Sequence, residues 1–393
     1  MIKEDNYSIL TYTDSPFSSI SIREEAIEEI IRIAEIKCNE KSPTNIARKM
    51  NIELRTWKNL SQNKNLKVHV LERISNFCDI DSDFIIKNIE EIDNIREPNI
   101  PINFDTKEGV RLDVGVINEG RVRNRIVEYH NKDREIIEIL KTASKKVIGE
   151  FFVPKERMDK RSETNCLYFP AFIAKHFIKL VKGNKSQNEI KIPDYILNNE
   201  NFQKIWWKGN LSEEASLYPS IGFNKNEFFI SPKIQINRVK RVDIKILNPK
   251  TEKTYYKYEL SRENLDKLKK DNIRLIEDEV KILSKFDINT SSHFSKLYIN
   301  KEFEQTATHS IYIYRLKDLE LYNNEIGFEL NKHKKQFDLL MNNRGGQTRE
   351  SVRDTFIKFY EFIPQYLRTN KKIKSNKFLN EEDKRELLGI KKC

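Results

Sequence analysis

Two glutamates at the ends of short apolar segments are the residues of this chain best suited to chemistry. Glu119 lies at the end of segment 112–120 (LDVGVINEG), and Glu214 follows 95 positions later in segment 206–215 (WWKGNLSEEA). A carboxylate placed where a helix gives way to a strand can hold a divalent cation, and two such helix ends form a shared site for phosphodiester chemistry. The sequence predicts this metal-binding pair, and the alternative is two capped or salt-bridged helix ends.

The charge balance favours a polyanionic partner. The 393 residues carry a formal net charge of +11, and the pI is about 9.1. Each Lys or Arg placed on a phosphate releases a condensed counterion, so nucleic acid is the favoured partner; the alternative is only a solubilising surface. Because no apolar run approaches the length of a membrane span and the first residues lack a signal-peptide core, we expect a cytoplasmic protein with no membrane partner.

Residue types also exclude several cofactor classes. The four cysteines and six histidines are scattered, without the close pairs typical of a structural zinc site. The chain has 11 glycines and neither a GxGxxG motif nor a phosphate-binding P-loop. We therefore expect no nucleotide cofactor.

Residues 23–89 have an almost wholly helical pattern, and within them residues 44–60 have the compact pattern of a helix-turn-helix. Ala47 supplies a small residue where two helices cross, and Asn51 can take the left-handed turn conformation usually given to glycine. The predicted core residues are Ile46, Met50, Ile52, Trp57 and Leu60.

This stretch, with the later helix 71–80, resembles the helix-turn-helix of the Cro/repressor family. In that arrangement the second helix presents its outward side chains to the major groove of DNA. The alternative is a plain helical bundle with a solvated polar face. The predicted DNA contacts are Arg55, Thr56, Lys58 and Asn59.

Residues 92–106, with Pro98 and Pro101, are predicted to be a linker, and a mixed pattern then occurs twice. Its first occurrence predicts strands 121–129, 151–158 and 165–169 and helices 132–148 and 170–180. The second occurrence follows the basic loop 182–193 and the segment that ends in Glu214. It predicts strands 217–223 and 228–237 and helices within 264–285. A duplicated unit is the simplest account.

From about residue 109 to 341 the chain resembles the LAGLIDADG homing endonucleases, in their single-chain form with two repeats. Gly209 stands five residues before Glu214, as the family motif requires, and Gly120 follows Glu119. The loop 182–193, with its basic start and its Ile-Pro, and the closing segments 325–328 (EIGF) and 334–340 (KKQFDLL) are also similar to the family. Three residues depart from the motif: Val114, Glu213 and Ala215.

The resemblance implies an α+β fold, with two pseudo-symmetric αββαββα repeats forming a DNA-binding saddle behind an all-α helix-turn-helix domain. It also implies a monomer with internal pseudo-two-fold symmetry, in which Glu119 and Glu214 hold Mg²⁺ at a scissile phosphate of double-stranded DNA. Lys185 and Lys335 are candidates for polarising the attacking water. Ordinary phosphate contact or solvated charge is the alternative for both lysines.

DNA reading would be carried out by the strand faces, because a two-stranded ribbon fits the major groove and alternate residues share one face. The alternative is the solvated outer face of a sheet. The predicted contacts are Arg121, Arg123 and Arg125 in the first repeat and Lys233, Gln235 and Asn237 in the second.

The predicted organisation is a helical domain at 1–91, a linker at 92–106, repeats at 107–200 and 201–343, and a helical basic tail at 344–393. The predicted function is metal-dependent, site-specific hydrolysis of double-stranded DNA. The departures at Val114, Glu213 and Ala215 leave open a catalytically inactive DNA-binding transcription regulator on the same fold. An RNA-splicing cofactor is the third alternative.

Overall fold

The computed structural model describes residues 19–62, 65–123, 126–159, 162–181, 190–224, 227–246, 249–271, 273–345, 347–368 and 370–389. Contacts divide the chain into two units. The first contains residues 1–116, 120–131 and 137–179, and the second contains residues 117–119, 132–136 and 180–393. Within the described part, no helix has the length and apolar character needed to cross a membrane.

The N-terminal segment combines five helices with a small antiparallel sheet of order β2-β1-β3-β4. It is therefore not all-α as predicted. The strands are only two to four residues long, too short for alternation to show in the sequence. The elements are β1 (Ser19–Ile22), α1 (Glu24–Cys38), α2 (Pro43–Lys49), α3 (Leu54–Ser61), β2 (Leu66–Lys67), α4 (Val68–Cys78), α5 (Ser82–Lys87), β3 (Ile89–Ile92) and β4 (Ile95–Arg96).

A tight turn joins α2 to α3. Asn51 lies in the left-handed region with φ of 53°, which confirms the conformation predicted for it. The Ile52 amide donates to the Ala47 carbonyl at 3.0 Å and closes the turn. Four of the five predicted core residues, Ile46, Met50, Trp57 and Leu60, are buried, whereas Ile52 is half-buried.

The next segment has the order helix, two strands, helix, two strands, helix. Its four strands form an antiparallel sheet of order β5-β6-β8-β7. The alternating apolar residues predicted within 121–129 belong to two short strands rather than to one strand. The elements are α6 (Lys107–Glu119), β5 (Gly120–Arg123), β6 (Ile126–Asn131), α7 (Arg134–Ile148), β7 (Lys155–Asp159), β8 (Thr164–Phe169) and α8 (Ala174–Leu180).

The same order recurs in the second unit, with one added strand and three added helices. Its sheet is five-stranded and antiparallel, in the order β11-β12-β13-β10-β9. The α+β class with antiparallel sheets is as predicted, and the pseudo-two-fold relation stays a prediction. The elements are α9 (Asp194–Leu197), α10 (Glu200–Glu213), β9 (Ser216–Asn224), β10 (Glu227–Val242), β11 (Lys253–Tyr256), α11 (Arg262–Lys270), α12 (Arg274–Lys285), β12 (Ser291–Ile299), β13 (Gln305–Ile313), α13 (Leu316–Leu321) and α14 (Asn331–Asn342).

The C-terminal residues pack onto this unit through α15 (Arg349–Glu361), α16 (Asn370–Lys374) and α17 (Glu381–Leu387). Val352, Phe356 and Phe359 of α15 share one buried cluster with Ile230 of β10 and Leu340 of α14. Ile373, the single apolar residue of the basic stretch 368–377, is fully buried in the same cluster. Ile373 therefore anchors this stretch in the folded unit.

Candidate nucleic-acid interface

Strand β10 has a polar side and an apolar side. Ile234, Ile236 and Arg238 are buried, whereas the intervening Lys233, Gln235 and Asn237 are only half-buried. Because side chains alternate across a strand, the last three share one face of the five-stranded sheet, as the sequence predicted. The register places Tyr218 opposite Lys233 and Ser310 opposite Asn237, so these side chains lie on the same face.

A hydrogen-bond network fixes the amides on this face, and it includes the fully buried Ser310. The Tyr218 hydroxyl donates to Gln235 Oε1 at 3.1 Å, and Gln235 Nε2 donates to Asn237 Oδ1 at 2.8 Å and to Ser310 Oγ at 3.4 Å. The Ser310 hydroxyl also donates to Asn237 Oδ1, at 2.7 Å. Both donors of Gln235 are therefore in use, whereas the Asn237 amide nitrogen makes no hydrogen bond within the described residues.

Rings and cations alternate across the same face. The Lys233 ammonium lies 4.1 Å from the centre of the Tyr312 ring, and His293 stacks on that ring with centroids 4.9 Å apart. Burial raises the pKa of Tyr218 to about 12, and the neighbouring Tyr312 adds to the shift. Burial lowers the pKa of Lys233, and it lowers the pKa of His293 together with the charges of Lys257 and Lys233. Sequence patterns on single strands did not identify Tyr218, Tyr312 or His293, because distant strand pairing brings them together.

On the four-stranded sheet, Arg121 is the one arginine predicted to contact DNA whose side chain the structure describes. Arg121 is exposed on β5, but the register places Glu128 directly opposite it. The backbone of Arg123 belongs to β5, and Arg125 lies outside the described residues. On the same sheet His130 lies between Glu128 and Cys166, with Cys166 Sγ 3.1 Å from His130 Nδ1. Burial raises the pKa of the Cys166 thiol, which disfavours the nucleophilic thiolate.

The two candidate catalytic glutamates lie at helix ends, as predicted. Glu119 is the last residue of α6, Glu214 is the C-cap of α10, and both are half-buried within the second unit. A Cβ on Gly120, which follows Glu119, would lie 2.5 Å from the Val116 carbonyl oxygen, so this position requires glycine. Asn118, next to Glu119, donates from Nδ2 to Asn210 Oδ1 at 2.9 Å.

Arg238 links these two helix ends from the apolar side of β10. Its Nη1 donates to Asn118 Oδ1 at 2.9 Å, and its Nη2 donates to Asn210 Oδ1 at 3.0 Å. Glu279 of α12 accepts from Arg238 Nε at 3.2 Å, from Arg238 Nη2, and from Asn210 Nδ2 at 3.0 Å. The Glu214 amide in turn donates to the Asn210 carbonyl at 3.0 Å. All four side chains of the network are buried.

The charge of Arg238 is stabilised by acids. Burial alone would lower the pKa of its guanidinium, but the charge and hydrogen bonds of Glu279 outweigh burial, and the charges of Glu214 and Glu213 add to them. The net effect raises the pKa of Arg238. Sequence reasoning missed this residue, although an arginine at the inward position after Ile234 and Ile236 was the available signal.

The roles predicted for the two candidate lysines stay predictions. Lys185 lies outside the described residues. Lys335 is exposed on α14 and makes no ion pair within the described part of the chain. Among the described residues there is also no group of three or more His, Cys, Asp or Glu side chains that could hold a metal ion.

On helix α3 the predicted DNA contacts divide by exposure. Arg55 and Lys58 are exposed, and Thr56 and Asn59 are half-buried. Trp57, within this stretch, and Leu60, directly after it, are buried. The helix therefore has one polar side and one packed side.

The chain matches no family model and no curated protein sequence. Among solved structures it is similar to I-DmoI in complex with DNA and manganese, with a TM-score of 0.31 and 10% identity over 57% of this chain and 98% of that one. It is also similar to the homing endonuclease I-WcaI bound to its DNA recognition sequence, with a TM-score of 0.31 and 16% identity over 60% and 87% of the two chains. At these scores the likeness carries no functional argument, so function has to be argued from this chain's own residues.

Proposed function

We propose that this protein binds double-stranded DNA with the polar face of its five-stranded sheet and hydrolyses the DNA with a divalent cation held at Glu119 and Glu214. The observation that carries DNA binding is the shared face of Lys233, Gln235 and Asn237 on β10. Amides and a lysine on an antiparallel ribbon are suited to base edges and phosphates in the major groove. The net charge of +11 favours the same partner.

The amide network supports a division of roles on this face. Gln235 already uses both of its donors on Asn237 and Ser310, so it holds its neighbour in place. The amide N–H₂ of Asn237 can donate to a base. The acceptor atoms that a base presents in the major groove distinguish it from other bases. Lys233, whose ammonium lies over Tyr312, contacts a phosphate.

Helix α3 is proposed as a second DNA contact. Its exposed Arg55 and Lys58, with Thr56 and Asn59 beside them, would face the major groove as in a helix-turn-helix. The left-handed turn at Asn51 supports this assignment because it allows the short connection that such a motif needs.

The carboxylates of Glu119 and Glu214 fit a hard divalent cation, because Mg²⁺ and Mn²⁺ prefer oxygen ligands. Glu213 also lies at the end of α10, and the remaining ligands would be water, backbone oxygens or the DNA phosphate. When bound, the cation would lower the pKa of a water and neutralise charge at the phosphate. The chain's own contribution is positioning: Asn118, Asn210 and Arg238 hold the two helix ends together.

Duplex binding is tested by the salt dependence of the dissociation constant. We expect Lys233→Ala to reduce the slope of log affinity against log salt by about 0.9, the value for one phosphate contact. Asn237→Ala should weaken preferred sequences more than random duplex. Lys269→Ala on α11, where the lysine is exposed, is the matched control and should leave the slope unchanged. Equal slopes in the wild type, Lys233→Ala and Lys269→Ala would contradict the assignment of this face to DNA binding.

Hydrolysis is tested separately with a random-sequence duplex library and Mg²⁺ or Mn²⁺. We expect the wild type to cut a subset of sequences and Glu119→Gln and Glu214→Gln to bind the same sequences without cutting. A wild type that binds but never cuts refutes hydrolysis and leaves DNA binding intact.

A catalytically inactive DNA binder is the second candidate, and Arg238 favours it. A buried guanidinium stabilised by Glu279, Glu214 and Glu213 already offsets part of the acidic charge that would attract a metal ion. Titration with Mn²⁺ monitored by electron paramagnetic resonance discriminates the candidates. Binding that is lost in Glu119→Gln supports the nuclease, and absence of binding supports the inactive protein.

A further inference from the structure

An exposed pair of tyrosines follows the edge strand of the five-stranded sheet. Tyr256 ends β11 and is 47% exposed, and Tyr258 in the next turn is 84% exposed. Their rings lie 5.9 Å apart between centroids and are nearly parallel, with an interplanar angle of 13°. Two neighbouring aromatic faces open to solvent are unusual, since aromatic side chains normally bury their area.

The backbone beneath the pair is held in place. The Tyr256 amide donates to Glu259 Oε2 at 2.8 Å, and Lys253 Nζ lies 2.9 Å from Glu259 Oε1. Tyr255 is buried, and its hydroxyl accepts from the Lys250 amide at 2.7 Å. The exposed rings therefore stand on an anchored turn, and little order has to be gained when they bind.

Cations and a third ring surround the pair. The strand register places Lys296 opposite Tyr256 and Tyr298 opposite Thr254, and Tyr298 is 39% exposed. Lys257, between the two tyrosines, is exposed, and its charge contributes to the lowered pKa of His293 on the neighbouring strand. Positive charge and exposed rings thus alternate at this edge of the sheet.

We propose that Tyr256 and Tyr258 form a stacking site for an unpaired base of single-stranded nucleic acid, with Lys257 and Lys296 at its phosphates. A duplex buries the faces of its bases and offers only their edges, whereas an unpaired base can stack on a ring. This goes beyond the duplex contact proposed at Lys233 and Asn237, because the ligand is different and the residues are different.

The test measures binding of fluorescent single-stranded oligothymidine, single-stranded oligouridine and a duplex to the full chain by anisotropy. We expect Tyr258→Leu and Tyr256→Leu to weaken single-strand binding by about 5- to 150-fold, the range for loss of one stacked base, and to leave duplex binding unchanged. Tyr258→Phe should retain binding because stacking uses the ring. The two single strands report whether DNA or RNA is preferred.

Tyr366→Leu is the matched control, since Tyr366 is 56% exposed but lies in the C-terminal segment. The replaced rings are exposed, so unchanged thermal unfolding should verify that every variant is folded. The proposal is overturned if the wild type binds no single strand, if both leucine variants bind single strands like the wild type, or if Tyr258→Leu weakens duplex binding equally. The duplex affinities of Lys233→Ala and Asn237→Ala test duplex binding separately from this proposal.

Discussion

At the scale of the residue, His293 is the group of the polar sheet face whose charge is most easily changed. Its imidazole stacks on Tyr312, and burial together with the charges of Lys257 and Lys233 lowers its pKa below the usual value. This shift favours the neutral ring. A phosphate placed beside it would favour the charged form and raise the pKa again.

DNA binding should consequently take up a proton at His293. We expect duplex affinity to increase as the pH falls from about 7.5 to about 5.5 at constant salt, because only the protonated ring attracts phosphate. His293→Gln should show a flatter dependence, measured as the dissociation constant at each pH. His130→Gln, on the sheet of the first repeat, is the control. If the affinity of His293→Gln depended on pH as steeply as that of the wild type, the proton would be taken up at another group.

Arg238 permits a second prediction at this scale, on stability. Arg238→Met leaves Glu279, which is fully buried, without its cation, and breaking a buried pair in this way costs about 3–5 kcal/mol. Arg238→Met with Glu279→Leu should recover most of that loss, because no unpaired charge remains. Urea denaturation of the two variants measures both values. A loss below about 1 kcal/mol in Arg238→Met would show that the network does not support the fold.

At the scale of the element, the turn between α2 and α3 depends on one backbone conformation. Asn51 has a φ of 53°, where an ordinary side chain costs about 1–2 kcal/mol. Asn51→Ala should therefore destabilise the N-terminal helices by about 1 kcal/mol, and Asn51→Gly should not. Asn59→Ala, within the right-handed helix α3, is the control. Circular dichroism during thermal unfolding measures the stability of each variant. Equal stability of the alanine and glycine variants of Asn51 would contradict the prediction.

Elements with a sustained period were predictable, and short or long-range features were not. Helix α7 and the start of strand β10 lie close to their predicted bounds, because their apolar residues repeat over many positions. Strand β10 continues beyond its predicted end at residue 237, to Val242. Strands β1–β4 are too short to carry a period. The polar face of β10 followed from alternation alone. Arg238 did not, because its partner Glu279 is distant in sequence and only the fold brings them together.

At the scale of the whole molecule, the basic C-terminal residues belong to the second unit and not to a free tail. Ile373 and Leu387 are buried against α15, which in turn covers Ile230 on the apolar side of β10. The strand that carries the candidate DNA face is therefore supported from behind by the last fifty residues. Function and stability of this region are linked, since a loss of support would disorder the face itself.

Deletion of residues 344–393 should accordingly unfold the second unit, and not merely weaken DNA binding. Phe359→Ala alone should cost about 3–5 kcal/mol through the cavity it leaves, and the deletion should cost at least as much. Replacing the exposed Lys372, Lys374 and Lys377 with glutamine removes charge but leaves the cluster intact. This triple variant should keep its melting temperature, and any drop in its duplex affinity reports phosphate contact by the C-terminal segment. A deleted chain that melts like the wild type and differs only in affinity would instead identify these residues as a DNA-binding tail.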